Sequence, residues 1–134
     1  MYKAIKIPVK LIIPRKTKAD KTYYLNMNGY RNWHFIISNQ LKVLFVEQIN
    51  EQIKDLKIEK LIKINYALYF KDKRVRDKMN YIAVIDKFFM DSLVTCGCIK
   101  DDNDKYTGEV HIDETQKTEE ESYCLIDLYY DPAK

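Results

Sequence analysis

Six side chains in the second half of the chain are of the types that phosphodiester chemistry uses: Asp77, Asn80, Lys87, Asp91, Asp101 and Asp102. On a helical wheel of 100° per residue with Asn80 at zero, Lys87 falls at about −20° and Asp91 at about +20°; Ile82, Ile85, Phe89 and Leu93 lie at roughly 140° to 220°. Asn80, Lys87 and Asp91 therefore form one polar stripe opposite an apolar one. Asp77 just precedes this predicted helix and Asp101 and Asp102 follow it, so each acid could reach the stripe if the chain folds back at both ends. Carboxylates with a Lys and an Asn are the components of a Mg²⁺-dependent phosphodiesterase. Mg²⁺ takes one or two carboxylates plus water, activates that water and neutralises phosphoryl charge, while a Lys holds the phosphate. Each residue also has a plainer use: Asp77 as a helix cap, Asp101-Asp102-Asn103 as a turn, and Lys87 with Asp91 as an i, i+4 surface pair. Asp86 falls at about 240°, beside the apolar stripe, which predicts a structural or interfacial role.

The elements that must position these residues are legible from periodicity. From Lys3 to Ile13, Ile5, Ile7, Val9, Leu11 and Ile13 alternate with mostly polar residues as in a half-buried strand, and Pro8 within it implies an edge or a bulge. Arg15 to Arg31 reads as a loop with basic and aromatic side chains interleaved. A helix between Asn32 and Leu56 follows from Leu41, Leu44, Phe45, Ile49, Ile53 and Leu56, capped by Asn32 or Ser38. Ile62 to Phe70 alternates as a longer strand, a charged turn covers Lys71 to Asp77, and the second helix runs from Asn80 to about Cys96 with Gly97 as its stop. Strands at Glu109 to Asp113 and Tyr123 to Tyr130 complete the order β, α, β, α, β, β. That order predicts a single α/β (α+β) domain over 1–134, with two main helices on a mixed sheet.

The net charge of +3 conceals a split. Residues 1–76 carry 17 Lys and Arg against 6 Asp and Glu, and residues 77–134 carry 6 against 14. A basic half attracts polyanions and a carboxylate-rich half holds hard cations, unless the two simply interleave on a solvated surface. Cys96, Cys98 and Cys124 are odd in number and lack metal-site spacing, which predicts three buried small hydrophobes. No apolar run approaches the roughly 20 residues of a membrane span, and Lys6 and Lys10 interrupt the one signal-like stretch, so a soluble cytoplasmic protein is expected. His34 and His111 stand alone and are expected to pack or face solvent. Tyr23, Tyr24, Tyr30 and Trp33 either stack on unpaired bases or pack in the core.

The runs Arg74-Val75-Arg76-Asp77-Lys78-Met79-Asn80, Asp86-Lys87-Phe88-Phe89-Met90-Asp91-Ser92-Leu93 and Gly97-Cys98-Ile99-Lys100-Asp101-Asp102-Asn103 resemble the RusA-type Holliday junction resolvases. That family's pattern is a basic run, Asp-x-Asp-Asn, a helix bearing Lys-x-x-x-Asp-x-Leu, a Gly and an Asp-Asp pair. The resemblance implies a homodimeric, Mg²⁺- or Mn²⁺-dependent endonuclease of a bacterial or phage-infected cell that makes paired nicks in a four-way DNA junction. It implies metal ligation by Asp77, Asp101 and Asp102, support from Asp91, phosphate contact by Lys87 and a helix start oriented by Asn80. Arg15, Lys16, Lys18, Lys21, Lys73, Arg74 and Arg76 are the expected phosphate contacts. Met79 stands where the second acid of Asp-x-Asp-Asn belongs, and Asn80 to Lys87 is about one helical turn longer than in the family, an addition that keeps the stripe on one face. A RusA-derived protein that binds DNA or a replication partner without cutting is the other reading that Met79 leaves open.

Overall fold

The computed structural model describes residues 1–72 and 74–134. The predicted first strand is two: β1 (Tyr2–Pro8) and β2 (Lys10–Ile13) part at Val9, which is buried. Pro8 lies at the end of β1, and β1 is an edge of the main sheet, where a missing N–H leaves no ladder bond unmade. β2 turns away to pair with β3 (Lys21–Tyr24) as a separate antiparallel ribbon. The stretch from Arg15 to Arg31, expected to be loop throughout, therefore holds β3 and a single helical turn, α1 (Met27–Tyr30).

Helix α2 (Phe35–Ile53) buries Leu41, Phe45, Ile49 and Ile53 at intervals of four, as its periodicity predicts. Its cap is neither Asn32 nor Ser38 but His34, whose Nδ1 accepts from the Ile36 N–H at 3.3 Å. β4 (Ile58–Phe70) is the spine of the sheet: Ile64 to Leu68 are all buried, so both of its faces are covered there. α3 (Lys78–Thr95) carries the chain back along the sheet, and Gly97, at φ 72, lets it turn where a side chain would be strained. β5 (Glu109–Ile112) and β6 (Gln116–Lys117) then run parallel to β4, and β7 (Tyr123–Pro132) inserts antiparallel between β1 and β4.

The main sheet thus has the order β1-β7-β4-β5, with β6 also on β4, and it is mixed, as the sequence predicts; the fold is α+β. Its core joins Ile5, Leu128, Tyr66 and Ile126 of the sheet to Phe45 of α2 and to Ile85, Phe88 and Phe89 of α3. Phe88 stands edge-on to Phe45 at 5.6 Å, Trp33 at 6.2 Å and Tyr30 at 6.4 Å between ring centres. Tyr23 meets Trp33 in the same way, which commits Tyr23, Tyr30 and Trp33 to packing; Tyr24 remains 48% exposed. Cys98 and Cys124 are buried, and burial pushes the Cys124 thiol up to about 12, whereas Cys96 is only half-buried, contrary to the expectation for it. No described helix is long and apolar enough to cross a membrane.

Candidate functional site

Asp77 ends the charged turn and caps α3, its Oδ1 accepting from the Met79 N–H at 3.0 Å. A carboxylate at this place satisfies an otherwise free helix donor and favours the positive end of the helix. Asn80 is half-buried one turn further, its N–H on the Asp77 carbonyl at 3.0 Å. From Asp77 the helix rises about 13 Å to Asp86 and about 21 Å to Asp91. Among the described residues, Asp77 does not close with Asp101 and Asp102 into a metal-binding group.

The return of the chain after α3 is built from backbone contacts. The Cys98 carbonyl accepts from Ile58 N–H at 2.8 Å and the Tyr106 carbonyl from Leu61 N–H at 2.7 Å, which lays residues 97–108 along the start of β4. Gly108 is required here, because a Cβ on it would come within 2.1 Å of the Ile62 carbonyl oxygen. Asp101 is the hinge of this loop: its Oδ1 accepts from Asp102 N–H at 2.7 Å and its Oδ2 from the Asn103 side chain at 3.0 Å. Asp101 thus makes the turn that points its neighbour, which is the turn use of an Asp rather than the ligand use. Asp102, exposed, borders two recesses at once. With Asp86, Met90, Leu61, Ile64 and Gly108 it lines a cleft of about 160 Å³, and with Asp91, Glu47 and Phe88 it lines a groove of about 550 Å³ between α2 and α3.

Asp86 lies beside the apolar stripe, where the helical wheel puts it, and has the structural role expected of it. It leans from α3 onto β4, where the buried Tyr66 hydroxyl donates to its Oδ1. Burial pushes the Asp86 carboxyl above its ordinary range, the Tyr66 hydrogen bond acts the other way, and the negative charges of Asp102 and Asp91 add to the rise. Burial also drives the Tyr66 phenol well up, followed by the charge of Asp86, so the phenol remains a donor. The acids that the fold brings within electrostatic reach of one another are thus Asp86, Asp91 and Asp102. Lys87 is exposed on the helix between the first two and is in no ion pair with Asp91 among the described residues. Among the described residues no three His, Cys, Asp or Glu side chains close on a common point as a metal-binding group. The donor chemistry nevertheless suits a hard cation, since Mg²⁺ asks for one or two carboxylates and fills its remaining positions with water.

The basic residues divide in the same way. Arg15, Lys16, Lys18 and Lys21 are exposed at the open end of the β2–β3 ribbon, where Arg15 Nε donates to the Ala19 carbonyl at 2.7 Å. Arg74 is exposed, but Arg76 is not free: its guanidinium lies 3.9 Å above the Phe70 ring and 2.6 Å from Asp72. Lys73 lies outside the described residues. His111 is exposed on β5, 3.9 Å from Asp113, and joins neither the acids nor the basic groups. No protein-family model matches this sequence, and no curated protein does.

Proposed function

We propose that the protein is a metal-dependent endonuclease acting on branched DNA, with Asp86 rather than Asp77 completing its acidic site. The observation that carries this reading is the place of Asp102, which on a loop hinged on Asp101 borders one recess with Asp86 and another with Asp91, while the charges of Asp102 and Asp91 both act on Asp86. Burial first, and then the charges of Asp102 and Asp91, disfavour the ionised Asp86 carboxylate, and a divalent cation bound beside it would favour that ionised form. Asp102 and Asp86 are the residues that would hold Mg²⁺ or Mn²⁺, and Asp91 adds negative charge near Asp86. Such an ion, when bound, supplies an activated water and offsets charge on the phosphoryl oxygens. Tyr66 holds Asp86 in orientation, and Lys87 on the open side of α3 meets the phosphate as a mobile point charge. Asp77 and Asn80 set where α3 begins.

The exposed cations of the ribbon, Arg15, Lys16, Lys18 and Lys21, together with Arg74, serve as phosphate contacts, and a twofold dimer supplies the two sites that paired nicks in a four-way junction need. Light scattering at assay concentration should then give about twice 16.1 kDa. A second reading, a DNA- or partner-binding protein that does not cut, is favoured by one feature: Asp77 and Asp101 are committed to backbone donors, and residue 79 is not an acid. Incubating a labelled four-way junction with the protein, with Mg²⁺ and with EDTA, separates the two. Metal-dependent paired nicks support the nuclease, and retained binding with no product in either condition supports the second reading.

A further inference from the structure

Where β4 ends and α3 begins, a second cleft of about 170 Å³ opens between the ribbon and the sheet, and it is lined by cations. Among the described residues, four cations, Lys10, Lys71, Arg74 and Arg76, line it with two carboxylates, Asp72 and Glu121. We propose that this cleft is a phosphate-binding site, separate from the acidic cluster, that takes a phosphate group of a nucleic acid strand. The oxyanion chemistry stands on the cleft itself; that the phosphate belongs to a strand rests on the nuclease reading.

The excess of two positive charges suffices for the −1 of an internal phosphodiester and for the roughly −1.5 to −2 of a terminal phosphate monoester at neutral pH. The walls are fixed. The Arg76 guanidinium is held between the Phe70 ring and Asp72, and its Nη1 donates to the Arg74 carbonyl at 3.2 Å. The Arg74 N–H donates to Asp72 Oδ1 at 2.9 Å, which sets the backbone of an arginine whose side chain is 81% exposed and 3.6 Å from the same carboxylate. Lys71 N–H donates to Ser122 Oγ at 2.9 Å, tying the end of β4 to the approach of β7 and leaving the serine proton to donate into the cleft. Of the two carboxylates, Asp72 is paired with Arg76 and Glu121 is weakly held: its contact with Lys10 is 3.5 Å long and both side chains are exposed, a kind of pair contributing about 0–1 kcal/mol. An incoming phosphate can displace it and take Lys10. Tyr24, exposed at the mouth, offers a ring face to whatever base follows the phosphate.

Tyr81 lines this cleft and Asp91 the acidic groove, ten residues apart on α3, so the two lie about 15 Å apart along the helix axis. A strand held at both is therefore anchored four to five base-pair steps from the bond it presents to the acids, at about 3.4 Å per step.

The test needs neither metal nor cleavage. Inorganic phosphate is titrated in EDTA against isotope-labelled protein while the amides of Lys71, Arg74 and Ser122 are followed by NMR, and the titration is repeated with the double variant Lys71→Ala, Arg74→Ala, in which both altered side chains are exposed. Saturable shifts at these amides that weaken at least tenfold in the variant are expected. No saturable shift, or equal shifts in the variant with an unchanged spectrum elsewhere, overturns the site. Thymidine pentanucleotides with and without a 5′-phosphate distinguish the sources. Tighter binding of the phosphorylated strand assigns a strand end, and equal binding of both, tighter than phosphate alone, assigns an internal phosphodiester; both support the proposal. If neither strand competes with phosphate, the site takes a free phosphate and the nucleic-acid part of the proposal is wrong.

Discussion

Single residues decide which acids hold the chain and which border the two recesses. Met79, where the resembling family has its second acid, is 49% exposed in the first turn of α3, so a carboxylate there is neither buried nor near the acid cluster, which begins about 10 Å further along the helix. Met79→Asp should leave the Mg²⁺ requirement for cleavage unchanged and raise stability by a few tenths of a kcal/mol, because an acid in the first turn favours the positive helix end. A lowered metal requirement would return residue 79 to the site. Asp72 gives a pH signature. Its hydrogen bond from Arg76 holds its carboxyl well below the usual carboxylate range, with the Arg74 N–H and the charges of both arginines adding to the effect. A depressed folded-state pKa contributes stability that is present above the unfolded value of about 3.9 and is lost as pH falls toward the folded one. Asp72→Asn should therefore lower the melting temperature at pH 7 and flatten its fall below pH 4, measured in EDTA by circular dichroism. An unchanged acid limb would mean that the Asp72 pairing does not survive in solution. The uses of Asp77 and Asp101 were legible as the plainer of two readings for each. Asp86 was legible as a structural residue beside the apolar stripe, but its partner was not, because Tyr66 comes from a strand and lies 20 residues upstream, a pairing no helical wheel contains.

At the scale of elements, what periodicity could see was seen: α2, β4, α3, β5 and β7 lie where their apolar repeats put them. What it could not see is short or polar. β3 opens on Lys21 and Thr22, α1 is four residues long and buries nothing fully, and β6 is two residues long. Ile5 to Ile13 alternates without a break, yet the chain changes partner at Val9 from β7 to β3, and alternation is blind to a change of sheet. The return of residues 97–108 along β4 is the element on which the acidic site most depends, and Gly108 is its closest approach. Gly108→Ala forces a methyl into the Ile62 carbonyl and should cost on the order of 1–3 kcal/mol, with Asp102 displaced from Asp86. Urea denaturation measures the first effect, and a fall in the Asp86 carboxyl pKa by ¹³C NMR measures the second; a neutral substitution would place the loop farther from β4.

The whole molecule carries its charge asymmetry into the fold unevenly. The ribbon end holds Arg15, Lys16, Lys18 and Lys21 in the open, while Arg76 spends its charge on Asp72. Alanine at any one of the exposed four should lower the magnitude of the slope of log affinity against log salt by about 0.9 for duplex DNA, and alanine at Arg76 should act chiefly through stability. An unchanged slope across the ribbon would remove it from the DNA interface. The central claim is that Asp86 and Asp102 together hold the ion that makes this chain a nuclease, and the most direct measurement is Mg²⁺-dependent cleavage of a four-way junction by wild type, Asp86→Asn, Asp102→Asn and Asp77→Asn at matched binding. Loss of product in the first two variants with junction binding retained, and product retained in Asp77→Asn, is the result predicted; cleavage that survives at Asp86 and Asp102 but fails at Asp77 would contradict it.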